Sequence, residues 1–261
     1  MGTREDDGPF EGVPVHLQDA LKKWLGPALR DGAQTNEDVD DRAMKIAVRL
    51  RLATPGSSPR LALTNSLLFD PERFLDVLDM ALSLSYGHFS DSLNSYLDLG
   101  GSVWTVAPDG LSLRRRVTAA EQDAYMAAVT PLDEASDQLK QAWRAAYGRD
   151  PDPSGAWHHS IKAVETLLWS LVIPNNPKAT LGLIISALQA KPGKWTFRLG
   201  PAGVEAFTSV LCLIWPNPDR HGSGDSRQPT VEESETVVQT AVAVVGWLRK
   251  GALAHSGSGV S

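Results

Sequence analysis

The stretch 230–250 limits the fold more than any other part of the chain. It carries Val237, Val238, Ala241, Val242, Val244, Val245 and Leu248. On a 3.6-residue repeat these cover most of a helix's circumference, so the helix they form has neighbours on several sides and belongs at the centre of a bundle. Its start is equally explicit. Thr230 and Glu233 stand three residues apart, the spacing of a capping box, in which each side chain satisfies a backbone amide of the first turn.

The same start signal recurs upstream. Thr118 with Glu121, and Thr130 with Asp133, open helices over 118–130 and 132–147, the second ending at Gly148. Asp70-Pro71-Glu72 combines an N-cap, a proline at the first helical position and an acid in the first turn, and opens a helix through Ser83. Apolar residues at helical spacing mark 17–29, 41–52 and 90–99, with a loop at 54–59 and a stop at Gly100-Gly101. Beyond the Pro-rich connector RDPDPSG, Ser154 caps a helix to Val172, followed by helices over 178–189 and 200–215. Only 102–107 and 111–117 read as strands, joined by the turn Pro108-Asp109-Gly110 into one hairpin. Arg114, Arg115 and Arg116 on its second strand protect an exposed edge or hold a phosphate. The expected fold is mainly α, with a mostly helical N-terminal region over 1–150 containing the hairpin near 102–117, and a C-terminal helical bundle over 151–251.

Composition sets bounds on function. At 261 residues and 42% hydrophobic content the chain can bury a sizeable core. With 31 acidic against 25 basic side chains it has no broad cationic surface for a long nucleic acid, so any polyanion contact is local. No apolar run reaches the ~18 residues of a membrane helix. The opening MGTREDDGPFEG is acidic where a secretory signal is basic and then apolar, so the expected location is cytoplasmic. The single cysteine, Cys212 within VLCLIW, reads as a buried thiol. His158 and His159 are adjacent, which on a helix turns their rings about 100° apart, and no metal or cofactor is expected. Trp169, Trp215 and Trp247 fall in apolar helical patterns and read as core.

Chemistry is sought first in WPNPDRHGSGD at 215–225, between two core helices. A connecting loop there has no packing use for Asp219, Arg220, His221 and Asp225 together. A guanidinium grips phosphate without losing its proton, and an imidazole exchanges one near neutrality. Together they suit metal-free RNA cleavage, in which a base activates the ribose 2′-hydroxyl and a cation stabilises the charge developing on the phosphoryl oxygens. Arg220, His221 and Asp225 are the catalytic candidates. Asn217 and the α-helical stripe His158, Lys162 and Glu165 are the candidates for substrate binding. The same residues also fit a loop salt bridge from Arg220 to an aspartate and an ordinary helix-surface pair.

The stretches IKAVE at 161–165, NPKATLG at 176–182 and WPNPDRHGSG at 215–224 resemble the abortive-infection C-terminal family of bacterial and phage proteins. That family is related to the HEPN superfamily of all-α domains. The resemblance covers roughly residues 151–250. It implies a HEPN-like bundle, often a homodimer, with an arginine and a histidine near the start of the last long helix facing their counterparts in the second copy. It further implies an endoribonuclease of a phage-defence or toxin-type system. Active HEPN nucleases place four to six residues between the two catalytic side chains, whereas His221 here follows Arg220 directly. Two functions therefore stay open: RNA cleavage, or a non-catalytic module that dimerises or binds a protein partner.

Overall fold

The computed structural model describes residues 9–54, 58–176, 178–199, 203–219 and 227–256. Among them are eleven α-helices and two short antiparallel strand pairs. They form two compact units that divide between Arg116 and Val117.

The N-terminal unit comprises α1 (Val15–Arg30), α2 (Asn36–Arg49), α3 (Pro59–Phe69), α4 (Pro71–Leu84) and α5 (Ser90–Leu99), then β1 (Trp104–Val106) paired with β2 (Leu113–Arg115). Leu21, Ile46, Leu63, Phe74, Leu78 and Leu93 are fully buried in its core. The hairpin turn uses Gly110 at φ +74, which a residue with a Cβ adopts only under strain. Two of the three arginines at the hairpin's second strand form ion pairs: Arg115 with Glu11, and Arg116, just past the end of β2, with Asp98 at 3.1 Å. One helix here departs from the sequence expectation. The loop over 54–59 ends at Ser58, whose hydroxyl accepts from Leu61 N, and Pro59 opens α3. α3 buries Leu63 and Leu67 while exposing Leu61, Leu68 and Phe69, so apolar residues on both faces hide its period.

The C-terminal unit comprises α6 (Ala119–Val129), α7 (Glu134–Tyr147), α8 (Pro153–Val172), α9 (Leu181–Ala190), α10 (Gly203–Ile214) and α11 (Val231–Arg249), with β3 (Trp195–Phe197) paired to β4 (Leu253–His255). This second strand pair is not a hairpin, and each strand is too short to show a period of two. The division at 116/117 lies well before the expected one near residue 150. The reason is packing: Leu139, Trp143 and Tyr147 of α7 share one core with Ile161, Val164 and Leu168 of α8. The connector is then a tight helix–helix turn. Asp152 donates its N–H to Ala145 O at 2.8 Å and caps α8 through Oδ1, which accepts from Gly155 N at 2.9 Å.

Two capping boxes, at Thr118 and Thr230, form as their spacing requires. Thr130 does not cap α7. Its hydroxyl donates back to Met126 O, and Asp133 takes the cap position, accepting from Ser136 N at 2.8 Å. Cys212 is exposed rather than buried, because α10 turns Phe207, Leu211 and Ile214 inward and leaves Leu213 and the thiol outside. α11 is central, packed by α6, α7, α8 and α10. Val238, Val242 and Val245 are at most 5% exposed within this one chain, so this face of α11 is already covered and is not open to a second copy. Among the described residues no helix is long and apolar enough to cross a membrane.

Where α11 ends, Arg249 reaches the start of α7. Its guanidinium forms a two-pronged pair with Asp133 at 2.8 and 2.9 Å and donates to Ser136 Oγ at 2.9 Å. That pair holds the Asp133 carboxyl well below its ordinary value of 3.8. A lowered acid pKa stabilises the fold above the unfolded value and loses that contribution as pH falls through the folded one. Asparagine keeps the helix cap but removes the charge. Asp133→Asn is therefore expected to cost about 1–2 kcal/mol at pH 7 after allowance for solvent screening. In urea titrations the gap between wild type and variant should narrow as pH is lowered below about 4.

Candidate functional site

The site's frame is the end of the C-terminal unit at which α8 and α11 begin. α7 and α8 are antiparallel neighbours across their short turn, and the Asp133–Arg249 pair joins the first residue before α7 to the last turn of α11. α8 and α11 therefore run parallel, with both N-termini at one end. A direct bond marks that end: Ser154 Oγ donates to Gln228 Oε1 at 2.8 Å.

Both described flanks of the α10–α11 connection are anchored here. On the incoming side, Trp157 Nε1 donates to Ile214 O at 2.8 Å, and Asn217 Nδ2 donates to Ser154 O at 3.5 Å. Asn217 Oδ1 accepts from Asp219 N at 3.3 Å, which folds the chain into a turn. On the outgoing side, Arg227 N donates to Pro218 O at 3.1 Å, so the two flanks meet. Arg227 then forks onto Glu233 at 2.6 and 2.7 Å, holding that carboxyl down at about 2. Arg220, His221 and Asp225, the catalytic candidates, lie outside the described residues.

The four substrate-binding candidates do not converge. Asn217 meets α8 at Ser154, whereas Glu165 is eleven residues further on, roughly 16 Å along the helix axis. His158 is exposed in the second turn, its ring edge-on to His159 at 5.4 Å. His159 is itself held to α7 through Gln138 Oε1 at 2.8 Å, and burial, then the neighbouring His158, lowers its pKa. Lys162 and Glu165 are brought together at 2.8 Å, as helical spacing predicts.

Glu165 is buried, and both of its oxygens are occupied. Oε2 accepts from Lys162 Nζ, and Oε1 accepts from Leu181 N at 2.6 Å. Leu181 is the first residue of α9, whose preceding residue Thr180 makes no side-chain cap. A carboxylate from another helix thus serves as the N-cap of α9, with the added benefit of facing the positive end of the helix dipole. One residue later, a Cβ on Gly182 would lie 2.7 Å from Trp215 Nε1, so only glycine lets the indole rest on α9. Trp215 is partly buried against the core, and Asn217 follows it directly. The role of Glu165 was hidden because a distant cap has no fixed spacing in the chain. Its one signal is a glutamate among apolar residues on α8, beside a helix start that lacks a local acidic cap.

No family model matches the chain, and neither a curated protein nor a solved structure does.

Removing the Glu165 carboxylate leaves a buried amide without an acceptor and a gap beside α9. Glu165→Ala should cost about 2–4 kcal/mol by urea denaturation. Glu165→Gln, which retains an acceptor oxygen for Leu181 N, should cost only about 1 kcal/mol, because Lys162 is half exposed and its ion pair is worth little. Equal losses in the two variants would contradict the capping role.

Proposed function

We propose that the C-terminal unit is a HEPN-like helical module that cleaves RNA without a metal, as a phage-defence or abortive-infection effector. What supports this most is the position of the α10–α11 connection. Its flanks are fixed where α8 and α11 both begin. Helix N-termini carry partial positive charge and favour a phosphate. The arginine and histidine of the resemblance fall in that connection, between Asp219 and Arg227. In this reading Arg220 holds the phosphate and His221 exchanges the proton, with Asp225 orienting one of them and Asn217 and His158 bordering the substrate. Pairing of two copies, which the resemblance implies, falls to this end of the unit, since the α11 valines are covered. The protein acts in the cytoplasm.

One observation favours a second reading, a non-catalytic module for a protein partner. Glu165 is committed to α9 and Lys162 is paired to Glu165, which leaves fewer polar groups for a substrate.

Incubating the protein with total RNA and short oligonucleotides in EDTA separates the two. Cleavage should occur without divalent metal, and Arg220→Ala and His221→Ala should each reduce it by about 100-fold or more with the melting temperature nearly unchanged. Intact RNA after incubation with wild-type protein, in EDTA and in magnesium alike, would leave only the partner-binding reading.

A further inference from the structure

The N-terminal unit contains an opening that the proposed function does not use. α1 carries Gly26 and Pro27 side by side in its interior. Each opposes a helix: glycine because its unfolded chain is so free, and proline because it has no N–H to offer the carbonyl of Lys23, four residues back. Crowding does not explain the glycine, since a Cβ built there meets nothing within 4 Å. What lies beside it is a cavity of about 600 Å³, within the range of small-molecule sites.

Leu25, Leu29, Val39 and Phe89 supply apolar wall to this cavity, and Lys22 and Arg30 its charge. The two cations share one face of α1, eight residues and so about 12 Å apart. Neither has an ion-pair partner among the described residues. The lining also holds Arg60 and one carboxylate, Asp31, whose histidine partner carries a charge only when protonated. Arg60 Nε pairs with Asp40 at 2.7 Å, and Asp31 Oδ2 is bonded to His88 Nδ1 at 2.7 Å. At the end of α1, Arg42 from α2 donates to the carbonyls of Leu29 and Asp31, offsetting the negative pole of the helix near the site. The result is an apolar hollow with an excess of positive charge, two unpaired cations against one carboxylate, next to a helix glycine for which crowding gives no reason.

We propose that this cavity binds a small molecule with an apolar or aromatic body and an acidic group, carboxylate, sulfonate or phosphate. The body rests on Leu25, Leu29 and Phe89, and the acid meets Lys22 or Arg30. Gly26 is there to leave the space open.

Anilinonaphthalene sulfonate, an aromatic anion that fluoresces when held in an apolar site, is a direct probe. Titration of the folded full-length protein should show saturable binding at one site. Gly26→Leu should weaken it by about tenfold or more while the melting temperature does not fall, because leucine is the better helix former. Lys22→Gln combined with Arg30→Gln should weaken the sulfonate by about fivefold or more and leave the uncharged analogue N-phenyl-1-naphthylamine within about twofold of wild type. If Gly26→Leu lowers the melting temperature, the glutamine pair decides alone. Absence of saturable binding, sulfonate affinity unchanged in the glutamine pair, or unchanged affinity in a fully folded Gly26→Leu variant would each overturn the proposal.

Discussion

The C-terminal unit turns on a buried carboxylate. Burying Glu165 without donors would cost several kcal/mol, and beginning α9 without a cap would leave its first amides unsatisfied. Each deficiency is met by the other, since Glu165 Oε1 takes the Leu181 N–H. Much follows from that bond. It fixes where α9 starts, and the start of α9 sets Gly182 against the Trp215 indole. Trp215 in turn directs the chain to Asn217, which is tied to the first turn of α8. A contact deep between helices thereby positions the incoming flank of the connection in which the chemistry is sought.

The same logic separates what the polar residues of α8 do. Glu165 is buried and bonded on both oxygens, His159 is held to Gln138, and only His158 stands exposed near the end where α8 and α11 begin. Polar residues on one helix therefore face different surroundings, α9 for Glu165, α7 for His159 and solvent for His158. Distance removes Glu165 from the site, because it lies about 16 Å along the helix from Ser154, where Asn217 is bonded.

Features written in local spacing were legible in the sequence. Thr118 with Glu121 and Thr230 with Glu233 specify helix starts within four residues, and the valine pattern of α11 correctly marks a central helix. The hairpin of β1 and β2 was legible through its turn. Features that depend on a distant partner were not. The Pro-rich connector at 149–155 looks like a linker in one dimension, yet it joins two helices of one core. Cys212 has apolar neighbours on both sides, so composition alone could not say that α10 turns it outward. α3 and the β3–β4 pair failed for related reasons, one blurred by exposed leucines and the other made of three-residue strands far apart in the chain. At the site, the candidate pair Lys162 and Glu165 was legible as neighbours, but the use of Glu165 as a cap for α9 was not.

The central claim is that α6 and α7 belong to the C-terminal unit, so that the chain divides between Arg116 and Val117. Native-state hydrogen exchange on the full-length protein, followed through low concentrations of denaturant, tests it most directly, because backbone amides that open in one cooperative step share a free energy of opening. The amides of α6 and α7 should lose protection together with those of α8 and α11, at a denaturant concentration different from that at which α1 to α5 open. Opening of α6 and α7 in step with α1 to α5, while α8 and α11 remain protected, would contradict the account.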